Sequence, residues 1–472
     1  MPERLKIALI NPESPADVYY FPTGLCYISS YLKKYSEVNP DIAIYNIDSS
    51  NRDKVVEFEP DIIGITCFTH SYSDALELSE YYRSIVNDAL LILGGCHISV
   101  IPESLGGEFD YAVIGEGEQT MLEIVSLVAS GKSDEIAKID GVAYRSNGKV
   151  VINKPRAIIE DLDEIPFPER DSVEEAESII RTDHPGWFGA LGLRYMQLTT
   201  SRGCPYRCIF CQPSVMWGKY RMNSPEYIAA EIEYIYNKFG INAILIEDDL
   251  FTGSKSRVAR LIELLEDKKL LGRIRYYIAG RTSQIDSDWA DMLGRMGVCK
   301  VEFGIESGSD PIAAYLKTGK TSTEINKRAV TLLNSRGIGV FGSFIAGAPP
   351  ETMNDLNETF KMIHWIRKSS PLNTCGIGIA TPLPGTGLWE YAVKRNLIDT
   401  NNFDWRKLST LKKFPESEAD MVYLNEHIPA DRMLKEIKKL QFRLKLGSPR
   451  EFIKALPRRL KKLTRRIFKI HK

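Results

Sequence analysis

No run in this 472-residue chain approaches the roughly 18 consecutive apolar residues of a helical membrane span, which excludes a span of that kind. The start, MPERLKIALINPESP, lacks the apolar core and cleavage site of a signal peptide, so a cytoplasmic protein is expected. Cysteine is sparse: eight residues over this length exclude a disulfide framework, yet three of them fall within eight positions. Neither sign of charge dominates, the formal net charge being -1, although residues 448–472 hold ten Lys or Arg against one acid. With 43% hydrophobic and 26% charged residues the composition is that of a soluble globular protein, and the length suggests roughly three units.

Residues 5–130 alternate short apolar strands (LKIALI, DIAIYNI, DIIGIT, LLILGG, YAVIG) with helical stretches, which predicts a doubly wound, Rossmann-like parallel sheet over residues 1–135. GVAYRSNGKVVIN (141–153) reads as a hairpin turning at Asn147-Gly148, and the proline-rich stretch 154–194 reads as a linker, so residues 136–194 are hairpin and connection. From Tyr195 six further strand-helix units follow (YMQLTT, AILIED, YYIAG, KVEFG, VFGSFIAG, GIGIA). Six fall short of a closed (β/α)8 barrel, so a partial TIM-type (β/α)6 barrel is expected over 195–398.

Residues 399–472 read as helical and end in a basic amphipathic segment. Leu456, Leu460, Leu463, Ile467 and Ile470 recur at helical spacing, with Arg458, Arg459, Lys461, Lys462, Arg465, Arg466 and Lys469 between them. Two readings lead: a terminal helix packing its stripe on the barrel, or an interfacial helix making peripheral contact with anionic lipid on the inner membrane face. No nucleic-acid partner is expected.

Cys204, Cys208 and Cys211 follow the first barrel strand directly, at the strand end where barrel active sites lie. Three thiolates on one short loop, with no fourth at hand, leave one iron of an iron-sulfur cluster open to a ligand. Structural zinc favours paired C-x2-C elements, and a second pair is missing: Cys299 and Cys375 lie singly in barrel strands, and Cys26, Cys67 and Cys96 lie in the first unit.

C-x3-C-x2-C with an aromatic just before the third Cys resembles the signature of the radical S-adenosylmethionine (SAM) superfamily. The resemblance implies a 4Fe-4S cluster on Cys204, Cys208 and Cys211 that chelates SAM and cleaves it reductively to a 5'-deoxyadenosyl radical. It also implies that Phe210 packs near the adenine. Polar residues at barrel-strand ends are candidates to grip SAM: Glu247, Asp248, Asp249, Arg281, Glu306 and Ser307. Helix capping is the bland alternative, Asp249 and Ser254 being good N-cap types.

The segments IEDDLF, FGIESGSD, LKTGKT, FIAGAPPET and TPLPGTGLWE resemble the branch of that superfamily with an N-terminal cobalamin-binding domain, over roughly residues 5–395. A doubly wound sheet binds its ligand beyond the carboxyl ends of the strands, where the loops after Ile10, Thr66, Gly95 and Gly115 converge. The loops GGCHISVIPE and GEGEQT resemble cobalamin-binding loops, which makes Thr66, Gly94, Gly95, His97, Gly115, Glu116, Gly117 and Glu118 candidate cobalamin contacts. The D-x-H-x-x-G motif that ligates cobalt in some such domains is absent, so cobalamin is expected without a histidine beneath the metal, and His97 as a loop contact.

For this branch the implied reaction is methylation of an unactivated carbon through methylcobalamin, drawing electrons from a flavodoxin or ferredoxin. Oxidative cyclisation or ring rearrangement of the tetrapyrrole-cyclase kind is the alternative, and a non-catalytic cobalamin or SAM sensor a remote one. A small-molecule or lipid-like substrate is expected.

Overall fold

The computed structural model describes residues 4–12, 21–48, 50–174, 176–180, 192–400, 403–409 and 414–446. Successive side chains of its first strand enter different cores, Ile7 and Leu9 one, Ala8 and Ile10 another. A strand apolar on both faces needs helices on both sides, and that dictates the architecture. The helices Thr23–Tyr35 and Gly117–Ala129 cover one face through Leu25, Leu32, Met121 and Ile124. The helix Tyr72–Ile85 covers the other through Tyr72, Ala75 and Leu78.

The strands are β1 (Lys6–Pro12), β2 (Asp41–Ile47), β3 (Ile62–Thr66), β4 (Leu90–Gly94), β5 (Tyr111–Val113), β6 (Val142–Ser146) and β7 (Lys149–Ile152). They form one sheet in the order β2-β1-β3-β4-β5-β6-β7, parallel from β2 to β5. The order reverses between β1 and β3, which opens a crevice above their carboxyl ends. The β6–β7 hairpin turns through Asn147 and Gly148, both at positive φ, and pairs antiparallel with β5, extending the first sheet to Ile152.

After β8 (Tyr195–Leu198) the two-residue strands β9 (Ser201–Arg202) and β10 (Arg221–Met222) pair with each other. Then come β11 (Ala243–Ile246), β12 (Arg275–Gly280), β13 (Val298–Glu306), β14 (Gly339–Ala346) and β15 (Thr374–Ile379). β8 and β11 to β15 pair in sequential order as a six-stranded parallel sheet, the open partial barrel expected from the sequence. Val301, Phe303 and Ile305 face the helices, so Lys300, Glu302 and Gly304 face the lumen. The lumen is polar and incompletely filled: Tyr277 donates to Glu302 (3.0 Å), and nothing lies within 4 Å of where a Cβ on Gly378 would stand.

One apolar cluster runs from Ile7 and Leu25 through Met196 and Ile244 to Ile366, so the two sheets share a core. The linker adds a buried ion pair, Arg170 Nη2 to Glu231 Oε1 at 2.8 Å, with a second bond from Nη2 to the Gln197 carbonyl. Among the described residues the chain ends in the helix Ala430–Leu446, and no helix is long and apolar enough to cross a membrane. The basic segment 448–472 lies outside the described residues.

Candidate active site at the facing strand ends

The cysteine loop begins where the chain must turn back sharply. Gly203 has φ +88°, and a Cβ there would stand 2.7 Å from the Lys219 carbonyl, so only glycine lets β9 meet β10 before Cys204. The loop is stapled on both sides: the Ile209 N–H donates to the Leu316 carbonyl (3.0 Å), and the Leu388 N–H to the Ile209 carbonyl (3.1 Å). Within it the Cys211 N–H bonds the Cys208 carbonyl (3.0 Å).

All three thiols are half-buried. Burial raises Cys204 above the ordinary thiol range and pushes Cys211 up to about 12, with Cys208 and Asp249 adding to the rise. Ligation here therefore requires a cation that displaces the proton. Among the described residues no three His, Cys, Asp or Glu side chains converge where a single ion would be held. Three thiols on one loop fit a cluster, in which each iron takes one thiolate, better than a structural zinc, which favours paired C-x2-C elements.

Arg281 and Glu306 are both buried beside this loop. The Arg281 guanidinium lies 3.8 Å from the centre of the Tyr206 ring, its Nη1 is 3.9 Å from Cys208 Sγ, and its Nε has no partner. Glu306 sits at φ +65°, where the β13–β14 register shifts, a strained backbone for a residue other than glycine. Burial raises its carboxyl to about 7 against the pull of Lys317. Lys317 and Tyr206 belong to this cluster; position in the loops LKTGKT and CPYRC was the only sequence signal for them.

Glu247 and Asp249 open into the space that the strand-end loops enclose. Desolvation by the protein around that space, with the charge of Asp248, raises Glu247 to about 8 and Asp249 to about 6. The N-cap of the helix Lys255–Asp267 is Ser254, which frees Asp249 from that duty. Asp248 and Ser307 are engaged within the protein. Asp248 accepts from the Thr200 N–H (2.6 Å), the Thr200 hydroxyl (2.5 Å) and the Ser201 N–H (3.0 Å), and the Ser307 hydroxyl meets Thr359 Oγ1 at 3.0 Å. Phe210 packs with Ile209 and Ile345 at the mouth of the barrel.

Opposite lie the loops of the first sheet. Gly95 has φ +100°, and a Cβ there would meet the Cys67 carbonyl at 2.5 Å, whereas Gly94 and Gly115 have nothing within 4 Å on that side. Thr66, half-buried, lies against Gly95, and Gly117 fits tightly over Ile28. Ser99, which the sequence did not single out, donates to the Gly95 carbonyl (2.7 Å) and accepts from the Gly115 N–H (3.0 Å), joining the two glycine loops. His97 is fully buried, with Nδ1 3.2 Å from Thr69 Oγ1 and Nε2 3.1 Å from Ser104 Oγ; burial pushes its pKa down to about 3. Both its nitrogens are thus occupied.

Glu116 and Glu118 point at arginines of the β9–β10 pair beside the cysteine loop. Glu116 pairs with Arg202 (2.7 Å) and Arg221 (2.9 Å), and Glu118 with Arg202 (2.5 Å). The helix Cys96–Val100 contacts the helix Pro213–Met216 that follows Cys211, and the Asp249 charge acts on both Cys96 and Cys204. The two sets of loops therefore face each other.

A three-cysteine loop on a partial barrel, faced by the ligand edge of a doubly wound sheet, defines a two-cofactor enzyme. The radical SAM superfamily matches residues 198–363, and the B12 binding domain residues 15–125. "Uncharacterized methyltransferase PH0819" of Pyrococcus horikoshii is 32% identical over 447 residues, 92% of this chain and 91% of that protein. The anaerobic magnesium-protoporphyrin IX monomethyl ester cyclase of Rubrivivax gelatinosus is 30% identical over 353 residues, 72% of this chain and 61% of that protein. The structure of the radical SAM methyltransferase TsrM from Kitasatospora setae, with cobalamin and a 4Fe-4S cluster bound, superposes with a TM-score of 0.65 at 18% identity. It covers 84% of this chain and 76% of that one, a likeness of fold. The chain belongs to the radical SAM superfamily, in the branch that carries an N-terminal B12 binding domain. Its cofactors are a 4Fe-4S cluster, SAM and cobalamin.

Proposed function

We propose that the protein methylates an unactivated carbon of a small molecule held between the two loop sets, in an order of units as read from the sequence: cobalamin unit 1–135, connection 136–194, barrel 195–398 and helical region 399–472. The observation that carries this reading is the packing of the helix after Gly95 on the helix after Cys211, which sets the glycine loops against the cysteine loop. Bound there, the cluster with SAM supplies reductive cleavage to a 5'-deoxyadenosyl radical, and cobalamin supplies a transferable methyl group.

Cys204, Cys208 and Cys211 hold the cluster. Arg281, with a donor to spare, would bind the methionine carboxylate, and Glu306 would accept from the methionine amino group. Glu247 takes the ribose hydroxyls and Phe210 packs on the adenine. Asp248 and Ser307, whose polar atoms are engaged elsewhere, hold the strand ends in shape. Thr66, Gly94 and Gly115 line the cobalamin side, while Gly95, Gly117, His97, Glu116 and Glu118 fix the loops that do so. With both nitrogens engaged, His97 has none left to ligate a metal.

Oxidative cyclisation is the second reading, supported by the 30% identity to the magnesium-protoporphyrin cyclase. The products decide: methyl transfer yields 5'-deoxyadenosine and S-adenosylhomocysteine together in the presence of substrate, cyclisation only the former. The enzyme works in the cytoplasm and draws electrons from a flavodoxin or ferredoxin, with residues 448–472 resting on anionic lipid. Their removal then abolishes binding to anionic vesicles at low salt, and unchanged binding contradicts that part.

A further inference from the structure

Arg202 immediately precedes Gly203-Cys204, and Arg221 is its partner across β9–β10. Glu116 is the N-cap residue of the helix Gly117–Ala129 that follows β5, and Glu118 stands in its first turn. All four side chains are at least nine-tenths buried. Every oxygen of Glu116 is used: Oε1 accepts from Arg202 Nη1 (2.7 Å) and Arg221 Nη2 (2.9 Å), and Oε2 from Arg221 Nη1 (3.1 Å) and the Ile159 N–H (2.8 Å). Arg202 Nη2 donates to Glu118 Oε1 (2.5 Å).

Buried ion pairs are a poor source of net stability compared with apolar packing, but they fix geometry, because a charge that moves off its partner is left desolvated and unpaired. This cluster joins the start of the helix after β5 to the β9–β10 pair, which leads directly into the cysteine loop. Contacts continue without a break on the first sheet, from the Gly95 carbonyl to Ser99 Oγ and on to the Gly115 N–H, one residue before Glu116. On the other side Arg202 of β9 passes directly into the cysteine loop.

We propose that Arg202, Arg221, Glu116 and Glu118 are positioning residues that couple the cobalamin loops to the cluster loop, so that filling one site sets the geometry of the other. The proposal rests on the cofactor assignment above. Coupling between two binding sites is reciprocal, so each ligand changes the affinity for the other by one factor.

The test uses the full chain with its cluster reconstituted anaerobically. Hydroxocobalamin affinity is measured by absorbance with and without SAM on the oxidised cluster, SAM affinity by equilibrium dialysis in the same state with and without hydroxocobalamin, and the electron paramagnetic resonance of the reduced cluster with and without added cobalamin is recorded beside them. In the unmodified protein each ligand is expected to tighten the other about tenfold. In Glu118→Gln that ratio falls towards one and the cluster signal no longer responds to hydroxocobalamin, while iron content is kept. Arg202→Lys, which keeps the charge and loses the fork, is the second variant should Glu118→Gln fail to load iron. A ratio of one in the unmodified protein, or an unchanged ratio in the variant, overturns the coupling. Failure of the unmodified protein to bind hydroxocobalamin or SAM at all overturns instead the cofactor assignment.

Discussion

Arg202 of β9 and Glu118 of the helix that follows β5 meet at 2.5 Å, neither side chain more than a tenth exposed. The residue that leads into the cysteine loop is thus fixed by the first turn of that helix. The separation of the two candidate cofactor sites is set by paired charges as well as by the shared apolar core.

Arg170 and Glu231 play the corresponding part at the linker. Arg170 stays charged because the Glu231 carboxylate faces it, despite complete burial. Arg170→Met strands that carboxylate and is expected to cost about 3–5 kcal/mol in urea unfolding, and the double variant with Glu231→Leu to regain most of it. An additive double variant contradicts this.

Gly94 and Gly95 separate loop integrity from ligand contact. Gly95→Ala puts a Cβ 2.5 Å from the Cys67 carbonyl at a positive φ, so loss of hydroxocobalamin binding and lowered thermal stability are expected together. Gly94→Ala meets no protein atom within 4 Å. It is expected to keep the melting temperature and weaken hydroxocobalamin binding about tenfold or more, and unchanged binding would remove Gly94 from the site.

The burial of His97 predicts an acid-side loss of stability. Its folded pKa is about 3, against about 6.5 in an unfolded chain. Between those values only the unfolded state takes the proton, so the contribution is complete above about pH 6.5. It is lost on acidification at up to about 1.4 kcal/mol per pH unit. The raised carboxyls of Glu247, Glu306 and Glu351 act in the opposite sense as pH rises. Urea unfolding of His97→Gln beside the parent isolates the histidine: the difference between the two should shrink as pH falls from 7 to 5.

Glu306 accepts most strongly from the amino group of SAM when ionised, and burial raises its carboxyl to about 7. SAM affinity is expected to rise as pH climbs from 6 to 8 and to lose that dependence in Glu306→Gln. A pH-independent affinity in the parent would contradict the assignment.

The strands of both sheets were legible because each is a short apolar run closed by a polar or glycine-rich loop, as LLILGG and VFGSFIAG illustrate. The cysteine loop was legible because its spacing is chemical. Glu116 and Glu118 were not, since a GEGE loop reads the same whether its carboxylates meet a cofactor or an arginine 84 to 86 residues away. For the same reason the partner of the β6–β7 hairpin, the second bond of Asp248 and the place of Lys317 beside Glu306 emerged only from tertiary packing.

The cysteine loop is assigned a SAM-cleaving cluster within reach of cobalamin. Anaerobically reconstituted protein, loaded with hydroxocobalamin, reduced and given SAM, should release 5'-deoxyadenosine, and Cys204→Ala, Cys208→Ala and Cys211→Ala should each lose iron and release none. Full iron in the variants, or no 5'-deoxyadenosine from parent protein carrying about four iron per chain, would contradict it.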